Sequence, residues 1–93
     1  MKFEWAENKN RINYAKHGVS FEVACKVFND PLAAYLFDRI VDGEERWHAV
    51  GKIDDIPLLV VVHTYRNKNN EEIIRIISAR KASPHERKQY ENL

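Results

Sequence analysis

The chain of 93 residues, about 11 kDa, has the length of one domain. Hydrophobic residues make up 44% and charged residues 31%, with three Gly and three Pro, which excludes a disordered chain. One cysteine excludes an internal disulfide, and the longest apolar run, Leu58 to Val62, is too short for a membrane span. Because no apolar run follows the N-terminus, we expect no signal peptide and predict one cytoplasmic domain over residues 1–93.

The net charge of +1 is unevenly distributed along the chain. Residues 1–29 carry a net charge of +2, residues 30–62 carry −4, and residues 63–93 carry +3. The basic last third is typical of a nucleic-acid surface, but it is equally compatible with a solvated face, because basic clusters are common and weakly specific. Charge alone therefore leaves the partner open.

The first seventeen residues predict a short strand followed by a helix. Phe3 and Trp5 alternate with charged residues, as in a strand. Residues 7–17 are mostly helix formers, with Ile12 and Ala15 three positions apart. A glycine follows at the position where helices commonly end, so we expect this helix to stop at residue 17.

A second helix is predicted directly after the first. Ser20 is placed to cap its N-terminus. Four apolar residues then recur at helical spacing, namely Phe21, Ala24, Cys25 and Phe28. Asn29-Asp30-Pro31 ends this segment. The two helices should form a short hairpin, with the cysteine in the core.

The remainder of the chain predicts four strands and a last helix. The strands cover residues 32–41, 45–53, 56–65 and 71–79, with turns at Asp42-Gly43, Asp54-Asp55 and Asn67 to Asn70. Ser83-Pro84-His85-Glu86 matches a capping box with proline at the first helical position, so residues 84–92 should be helical. The order β-α-α-β-β-β-β-α with short turns predicts an α+β domain with an antiparallel sheet.

Several blocks of residues resemble a known family. The central block is Lys16-His17-Gly18-Val19-Ser20-Phe21-Glu22 followed by Val27-Phe28-Asn29-Asp30-Pro31. Three further blocks are Glu4-Trp5 with Asn13, Glu44-Glu45-Arg46 with Gly51, and Ile74 to Arg80 with Glu86-Arg87 and Tyr90. From about residue 2 to about residue 91, the chain resembles the BrnT toxins of bacterial type II toxin–antitoxin pairs. One departure is Ala6, which stands where Asp or Asn usually caps the first helix.

The resemblance implies a RelE-like fold and a ribonuclease that stops translation. It also implies a tightly bound BrnA-like antitoxin, which is itself a DNA-binding repressor, so that operator DNA is contacted only through the antitoxin. A dimeric repressor would make a two-to-two complex natural. We expect no membrane partner and no cofactor.

Metal-free cleavage of RNA needs three kinds of group. A base must act on the ribose 2′-OH, cations must surround the phosphate, and an acid must protonate the leaving 5′-oxygen. The single cysteine and the four histidines show no metal-ligand spacing, and the chain has neither a glycine-rich loop nor a nucleophile elbow. We therefore expect no metal, and a mechanism that uses Arg, Lys, His, Glu and Tyr.

The alternation of side chains along a strand shows which candidate site residues share a face of the sheet. Arg46, His48 and Lys52 share one face of the strand over 45–53, which is either an RNA-binding stripe or a solvated face. Arg75 lies in an isoleucine-rich strand, where burying it unpaired would be costly. It either pairs with a carboxylate such as Glu45 or points into a cleft.

Four further candidates follow from their places in the chain. Arg80 follows the last strand and is placed for a phosphate role. The near-neutral pKa of histidine makes His63 a candidate base or acid, or a hydrogen-bonded structural residue. Tyr90, with Arg87 on the same face of the last helix, either donates a proton or packs against the sheet. Lys16 either contacts RNA or stabilises the helix dipole.

These residues together predict a metal-independent endoribonuclease toxin. The alternative is a non-catalytic module, or a degenerate toxin, that binds nucleic acid or protein through the same basic face. The predicted catalytic residues are Glu45, His63, Arg75, Arg80 and Tyr90, and the predicted RNA-binding residues are Lys16, Arg46, His48, Lys52 and Arg87.

Overall fold

The computed structural model describes residues 1–54 and 56–92, and at Ile56 the backbone alone. Its elements are β1 (Lys2–Glu4), α1 (Glu7–His17), α2 (Phe21–Ala24), a 3-10 helix (Cys25–Asn29), β2 (Ala34–Val41), β3 (Glu44–Ile53), β4 (Ile56–Lys68), β5 (Glu71–Lys81) and α3 (Pro84–Glu91). This order confirms the predicted α+β class. The turn expected at Asp54-Asp55 lies partly outside the described residues.

The five strands form one sheet in the order β1-β5-β4-β3-β2. Strands β2 to β5 are joined as antiparallel neighbours, which confirms the predicted succession of hairpins. Strand β1 instead pairs in parallel with β5, and this places Glu4 opposite Arg75. The sequence did not predict the parallel pair, because no turn or spacing links two segments about seventy residues apart.

Different helices cover the two faces of the sheet. On the first, here called the α1 face, α1, α2 and the 3-10 helix cover the main core, in which Phe21 and Leu59 are fully buried. On the opposite face, here called the α3 face, Tyr90 of α3 packs against a smaller cluster that contains Val50 and Val60. Residues that alternate along a strand therefore face two different environments.

Two buried asparagines, rather than an apolar stripe, attach α1 to the rest of the protein. The Asn13 Nδ2 donates to the carbonyl oxygens of Val19 at 2.9 Å and Ala79 at 2.8 Å, and its Oδ1 accepts from the Ala79 N–H at 3.1 Å. The Asn10 Oδ1 accepts from the Phe21 N–H at 2.8 Å. The amide groups thus satisfy backbone groups of β5 and α2 that no regular secondary structure satisfies.

The apolar residues of α1 face solvent. Ile12 is 61% exposed and Ala15 is also exposed, so this pair does not mark the buried side of the helix. The predicted end of the helix is confirmed, because Gly18 has φ +72° and its N–H donates to the Tyr14 carbonyl. Ala6 supplies no side-chain cap at the start of the helix, as its residue type predicts.

The predicted second helix is shorter than expected and continues as a tighter turn. The Ser20 Oγ accepts from the Val23 N–H at 3.1 Å, which confirms the cap. After α2 the chain changes to the 3-10 helix, which lies close to β3. A Cβ at Gly51 would stand 3.0 Å from both Val27 Cγ1 and Asp30 Oδ2, so any other residue would require these side chains to shift. Cys25 packs against the core, and burial raises the pKa of its thiol to about 11.

Two turns join the strands where the sequence places them. Asp42 and Gly43 have φ of +50° and +80° and connect β2 to β3. Asn69 and Asn70 have φ of +53° and +63° and connect β4 to β5. Because this second turn uses only two residues, β4 extends to residue 68, three residues beyond the predicted end. These additional strand residues change the composition of the α3 face.

We expect Asn13→Ala to lower the free energy of unfolding by at least about 2 kcal/mol, because it leaves backbone groups of Val19 and Ala79 buried without partners. Urea unfolding of the variant and the wild type measures the difference. Asn8→Ala, on the exposed side of α1, is the matched control and should change stability by less than about 0.5 kcal/mol. Equal effects of the two substitutions would contradict the proposed attachment of α1.

Candidate functional site

A pocket of about 170 Å³ lies on the α3 face, at the end of the sheet away from α3. Basic side chains from α1, β3, β4 and β5 line it, together with one carboxylate and one hydroxyl. These residues are Lys9, Arg46, Arg66, Arg75, Glu44 and Thr64. Here they are called the arginine pocket. Strand alternation explains the convergence, because the side chains from β3, β4 and β5 point to the same face.

Two carboxylates hold Arg66 and Arg75 of the arginine pocket in place. The Arg66 Nε and Nη2 donate to the two Glu44 carboxylate oxygens at 3.0 and 3.1 Å. The Arg75 Nη1 lies 3.2 Å from the Glu4 Oε2, and the Lys68 Nζ lies 3.5 Å from the same oxygen. The hydrogen bonds from Arg66 lower the pKa of Glu44 and are the largest cause of that shift.

The arginine pocket carries an excess of positive charge. Lys68 adds a fifth cation to the four that line the pocket, and Glu4 and Glu44 are the two carboxylates, which leaves three positive charges in excess. Within the described residues, Arg46 forms no ion pair. Its guanidinium is therefore the one best placed to bind an anion from solution.

Thr64, which has a buried hydroxyl, lines the arginine pocket. Thr64 is 2% exposed, and its Oγ1 has no hydrogen-bond partner among the residues that the structure describes. A buried hydroxyl without a partner is unfavourable and uncommon in folded proteins. Its O–H can donate to an oxygen of a ligand held by the neighbouring guanidinium groups.

The structure brings two of the predicted site residues together in this pocket. Arg46 and Arg75 both line it. Arg75 pairs with Glu4 rather than with Glu45, the partner named as an example from the sequence. Glu45 is exposed and points to the α1 face, since it alternates with Arg46 along β3.

Arg80 lies farther along β5 and is fully paired with α3. Its Nη1 and Nη2 lie 2.6 and 2.8 Å from the two Glu86 carboxylate oxygens. Glu86 also accepts from the Ser83 N–H at 2.9 Å, and the Ser83 Oγ accepts from the Glu86 N–H, which confirms the predicted capping box. The pair therefore attaches the start of α3 to the edge of the sheet.

Tyr90 packs against the sheet and also makes a polar contact. Its hydroxyl donates to the Asp30 Oδ2 at 2.9 Å, and the same oxygen accepts from the Lys52 N–H at 2.8 Å. Burial, and then the bond to Asp30, raise the pKa of Tyr90. Lys52 and Arg87 line a second pocket with Tyr90, of about 230 Å³, so these three predicted residues do lie together.

His48 lies on the α3 face between the arginine pocket and α3. It is two residues from Arg46 on the same side of β3, a distance of about 6.6 Å along a strand. Its Nε2 stands 3.5 Å from the Asp38 Oδ2. His48 also lines a groove of about 440 Å³ whose other wall contains Gln89 and Tyr90 of α3.

His63 lies on the opposite face of the sheet from the arginine pocket. It is fully buried, its register partner in β3 is Trp47, and its Nδ1 lies 3.2 Å from the Val61 carbonyl oxygen. Burial is the main cause that lowers the pKa of His63 and thus favours the neutral ring. Lys16 is exposed in the last turn of α1 and does not line the arginine pocket.

Four residues of the arginine pocket were not among the predicted site residues. Arg66 and Thr64 alternate with Lys68 along β4, which is a readable pattern once the strand continues to residue 68. The predicted strand ended at residue 65, so Arg66 fell between that strand and the predicted turn at Asn67 to Asn70. Lys9 and Glu44 reach the arginine pocket through tertiary contacts, and no pattern in the neighbouring sequence predicts this.

Among the residues that the structure describes, no three His, Cys, Asp or Glu side chains lie close enough together to hold a metal ion. In the same residues, no helix has both the length and the apolar character needed to cross a membrane.

The Arg80–Glu86 pair predicts a dependence of stability on pH. The pKa of Glu86 in the folded chain is about 2, below that of an unfolded glutamate near ~4.3. The carboxylate therefore contributes stability that is fully present above about pH 4.3 and is lost as pH falls toward 2.

At about pH 7 we expect the free energy of unfolding to be higher for wild type than for Glu86→Gln. At about pH 3 this difference should be smaller. Urea unfolding at both pH values measures it. Glu91→Gln, on the exposed side of the same helix, is the matched control. A difference that is constant over this pH range would contradict the assigned pairing.

Comparison with known proteins identifies the family. No curated protein sequence matches the chain. The family described as "Ribonuclease toxin, BrnT, of type II toxin-antitoxin system" matches residues 5–86, which is most of the chain and includes all the residues of the arginine pocket. The resemblance seen in the sequence blocks is confirmed, and the chain belongs to the BrnT family of ribonuclease toxins of type II toxin–antitoxin systems.

Proposed function

We propose that this ribonuclease cleaves RNA on its α3 face, by attack of a ribose 2′-OH on the adjacent phosphate without a metal ion. In this proposal the arginine pocket holds the phosphate at which cleavage occurs. The observation that carries the proposal is the set of four cationic side chains in one pocket with Thr64, whose buried hydroxyl has no partner among the described residues. As a toxin, the protein would act on cytoplasmic RNA and thereby inhibit translation.

The electrostatics of the pocket support this role. Negative charge builds on the phosphate oxygens when the 2′-oxygen attacks, and fixed cations stabilise that charge more than they stabilise the ground state. Glu44 and Glu4 hold the guanidinium groups of Arg66 and Arg75 before RNA binds, so little reorganisation is needed. Arg46 can then bind phosphate oxygens with two parallel hydrogen bonds.

His48 is the group that we assign to proton transfer. An imidazole ring can both accept and donate a proton, and the neighbouring Asp38 carboxylate can orient the ring of His48. Its place two residues from Arg46, on the same side of β3, would put its ring beside a phosphate that Arg46 holds. His63 and Glu45 have no part in this mechanism, because both lie on the α1 face.

The residues around α3 have supporting roles in the proposal. Arg80 holds α3 through Glu86, and Tyr90 holds it through Asp30. Lys52 and Arg87 are exposed beside Tyr90 and would contact the RNA backbone on one side of the cleaved bond. A phosphate at Arg46 and another at Lys52 would fit a strand lying along β3.

The cognate partner of this toxin would be a BrnA-like antitoxin. Family membership implies such a partner. We propose that two toxins bind one antitoxin dimer, and that operator DNA is contacted by the antitoxin alone.

The first test is cleavage of purified RNA in excess EDTA. We expect wild type to cleave, and Arg46→Ala to lower the rate by about 100-fold or more, as loss of one group that stabilises transition-state charge typically does. Arg46 forms no ion pair in the described residues, so its removal should not unfold the protein. Arg11→Ala, an exposed cation of α1, is the control. The proposal would be refuted if EDTA abolished cleavage by the wild type. It would also be refuted if Arg46→Ala cleaved RNA at the wild-type rate.

The second test concerns Thr64, whose hydroxyl should donate to bound phosphate. We expect Thr64→Val to leave the free energy of unfolding unchanged or to raise it, because within residues 1–54 and 56–92 the buried hydroxyl has no partner. Affinity for a 2′-O-methyl RNA, which cannot be cleaved, should fall about tenfold in fluorescence anisotropy. Ser78→Ala removes a hydroxyl of β5 outside the arginine pocket and should change neither quantity. If Thr64→Val bound RNA with unchanged affinity, the Thr64 hydroxyl would not contact the bound phosphate.

A further inference from the structure

An exposed aromatic surface lies on the α1 face, beside the part that α1, α2 and the 3-10 helix cover. It consists of Tyr35, Phe37 and Ile40 of β2, Trp47 of β3 and Tyr65 of β4, and is here called the aromatic patch. Trp47 is half-buried, and the other four are between 42% and 65% exposed. Isolated exposed apolar residues are common, but a continuous set of this kind marks an interaction site.

Ring contacts make the aromatic patch continuous. The ring centroids of Phe37 and Trp47 are 5.6 Å apart, and those of Trp47 and Tyr65 are 6.2 Å apart. Beneath them, the ring of His63 lies 5.0 Å from that of Tyr65 and 6.5 Å from that of Tyr35. The patch therefore rests on the buried ring of His63, and rigid aromatic side chains such as Phe37 and Trp47 dominate the energy of protein interfaces.

The charges beside the aromatic patch are negative. Glu45 lies two residues before Trp47 on the same side of β3, and the charge of Glu72 helps to raise the pKa of Tyr65, after burial and Tyr35. Among the described residues of β2, β3 and β4, every Lys and Arg alternates onto the other face. These carboxylates repel an RNA backbone and favour a partner that carries Lys or Arg.

The aromatic patch reaches an open edge of the sheet. In the described part of the chain, β2 has β3 on one side and no strand on the other. Natural edge strands are usually protected by charges, prolines or short length. In β2 four apolar side chains are exposed, including Leu36 on the opposite face, and charges occur only at the bulge of Asp38 and Arg39.

We propose that the aromatic patch anchors the antitoxin, through a segment whose apolar side chains contact Phe37 and Trp47 and whose flanking Lys or Arg residues face Glu45 and Glu72. The inference rests on the proposed function, in which RNA occupies the α3 face. The antitoxin is thus anchored on the face opposite to the RNA. Anchoring and RNA cleavage then depend on different residues and can be separated by mutation.

The test measures the affinity of the antitoxin encoded beside this toxin, by calorimetry with the full chain. We expect Phe37→Ser to weaken binding about 30-fold, the effect typical of an interface hot spot. Leu36→Ser is the matched control, because Leu36 is adjacent and similarly exposed but points to the α3 face. It should leave the affinity within about threefold of wild type.

Neutralisation gives the second readout. Phe37→Ser should cleave free RNA at the wild-type rate and continue to cleave at antitoxin concentrations that silence wild type. Glu72→Lys should also weaken antitoxin binding, and more strongly at low salt. If thermal unfolding shows that Phe37→Ser does not fold, Ile40→Ser takes its place, since Ile40 is the most exposed member of the patch.

Three outcomes would overturn the inference. The first is unchanged antitoxin affinity in Phe37→Ser. The second is a wild-type dimer that Phe37→Ser converts to a monomer while antitoxin affinity is unchanged, because a second copy would then cover the patch. The third is a loss of RNA cleavage with unchanged antitoxin binding, which would assign the patch to RNA bases. Failure of the proposed function would appear instead as full activity in Arg46→Ala, whatever the antitoxin affinity.

Discussion

The side-chain amide of Asn13 connects the first helix to the sheet, and the arrangement of the site depends on it. Strand β1 pairs only with residues 73–75 of β5, so the backbone of Ala79 has no strand on that side. The amide of Asn13 takes the place of the missing strand, with one bond to the Ala79 N–H and one to its carbonyl. Because α1 is held in this way, its Lys9 reaches the arginine pocket although α1 has no apolar side to bury.

Strand alternation lets a thin sheet carry two surfaces of different chemistry. Arg46 and Trp47 are neighbours in β3, yet the first lines a cationic pocket and the second an aromatic patch with acidic neighbours. A shift of one residue in the pairing of β3 would exchange the two surfaces. The register of this strand therefore decides which face carries the cations and which carries the aromatic rings, and the close packing at Gly51 helps to fix it.

The ion pairs of the α3 face position side chains more than they stabilise the fold. Partly exposed pairs contribute little to the free energy of unfolding, typically about 0 to 1 kcal/mol each. Glu44 and Glu4 nevertheless hold Arg66 and Arg75 in fixed orientations at the pocket. The pair of Arg80 and Glu86 does the same for α3, whose first turn it connects to the end of β5. Such pre-positioned charges are what stabilisation of a transition state requires.

The sequence by itself determined the features that depend on neighbouring residues. These include the order of elements, the tight turn at Asp42-Gly43, the capping box at Ser83, the side of β3 on which Arg46 lies, and the family. Only the tertiary structure decided that β1 joins β5 and brings Glu4 to Arg75, and that His63 lies beneath tyrosines on the face opposite to the arginines. Helix caps, tight turns and strand alternation act over a few residues and leave a local pattern. Contacts between residues far apart in the chain leave none, because packing and register select them after the local elements have formed.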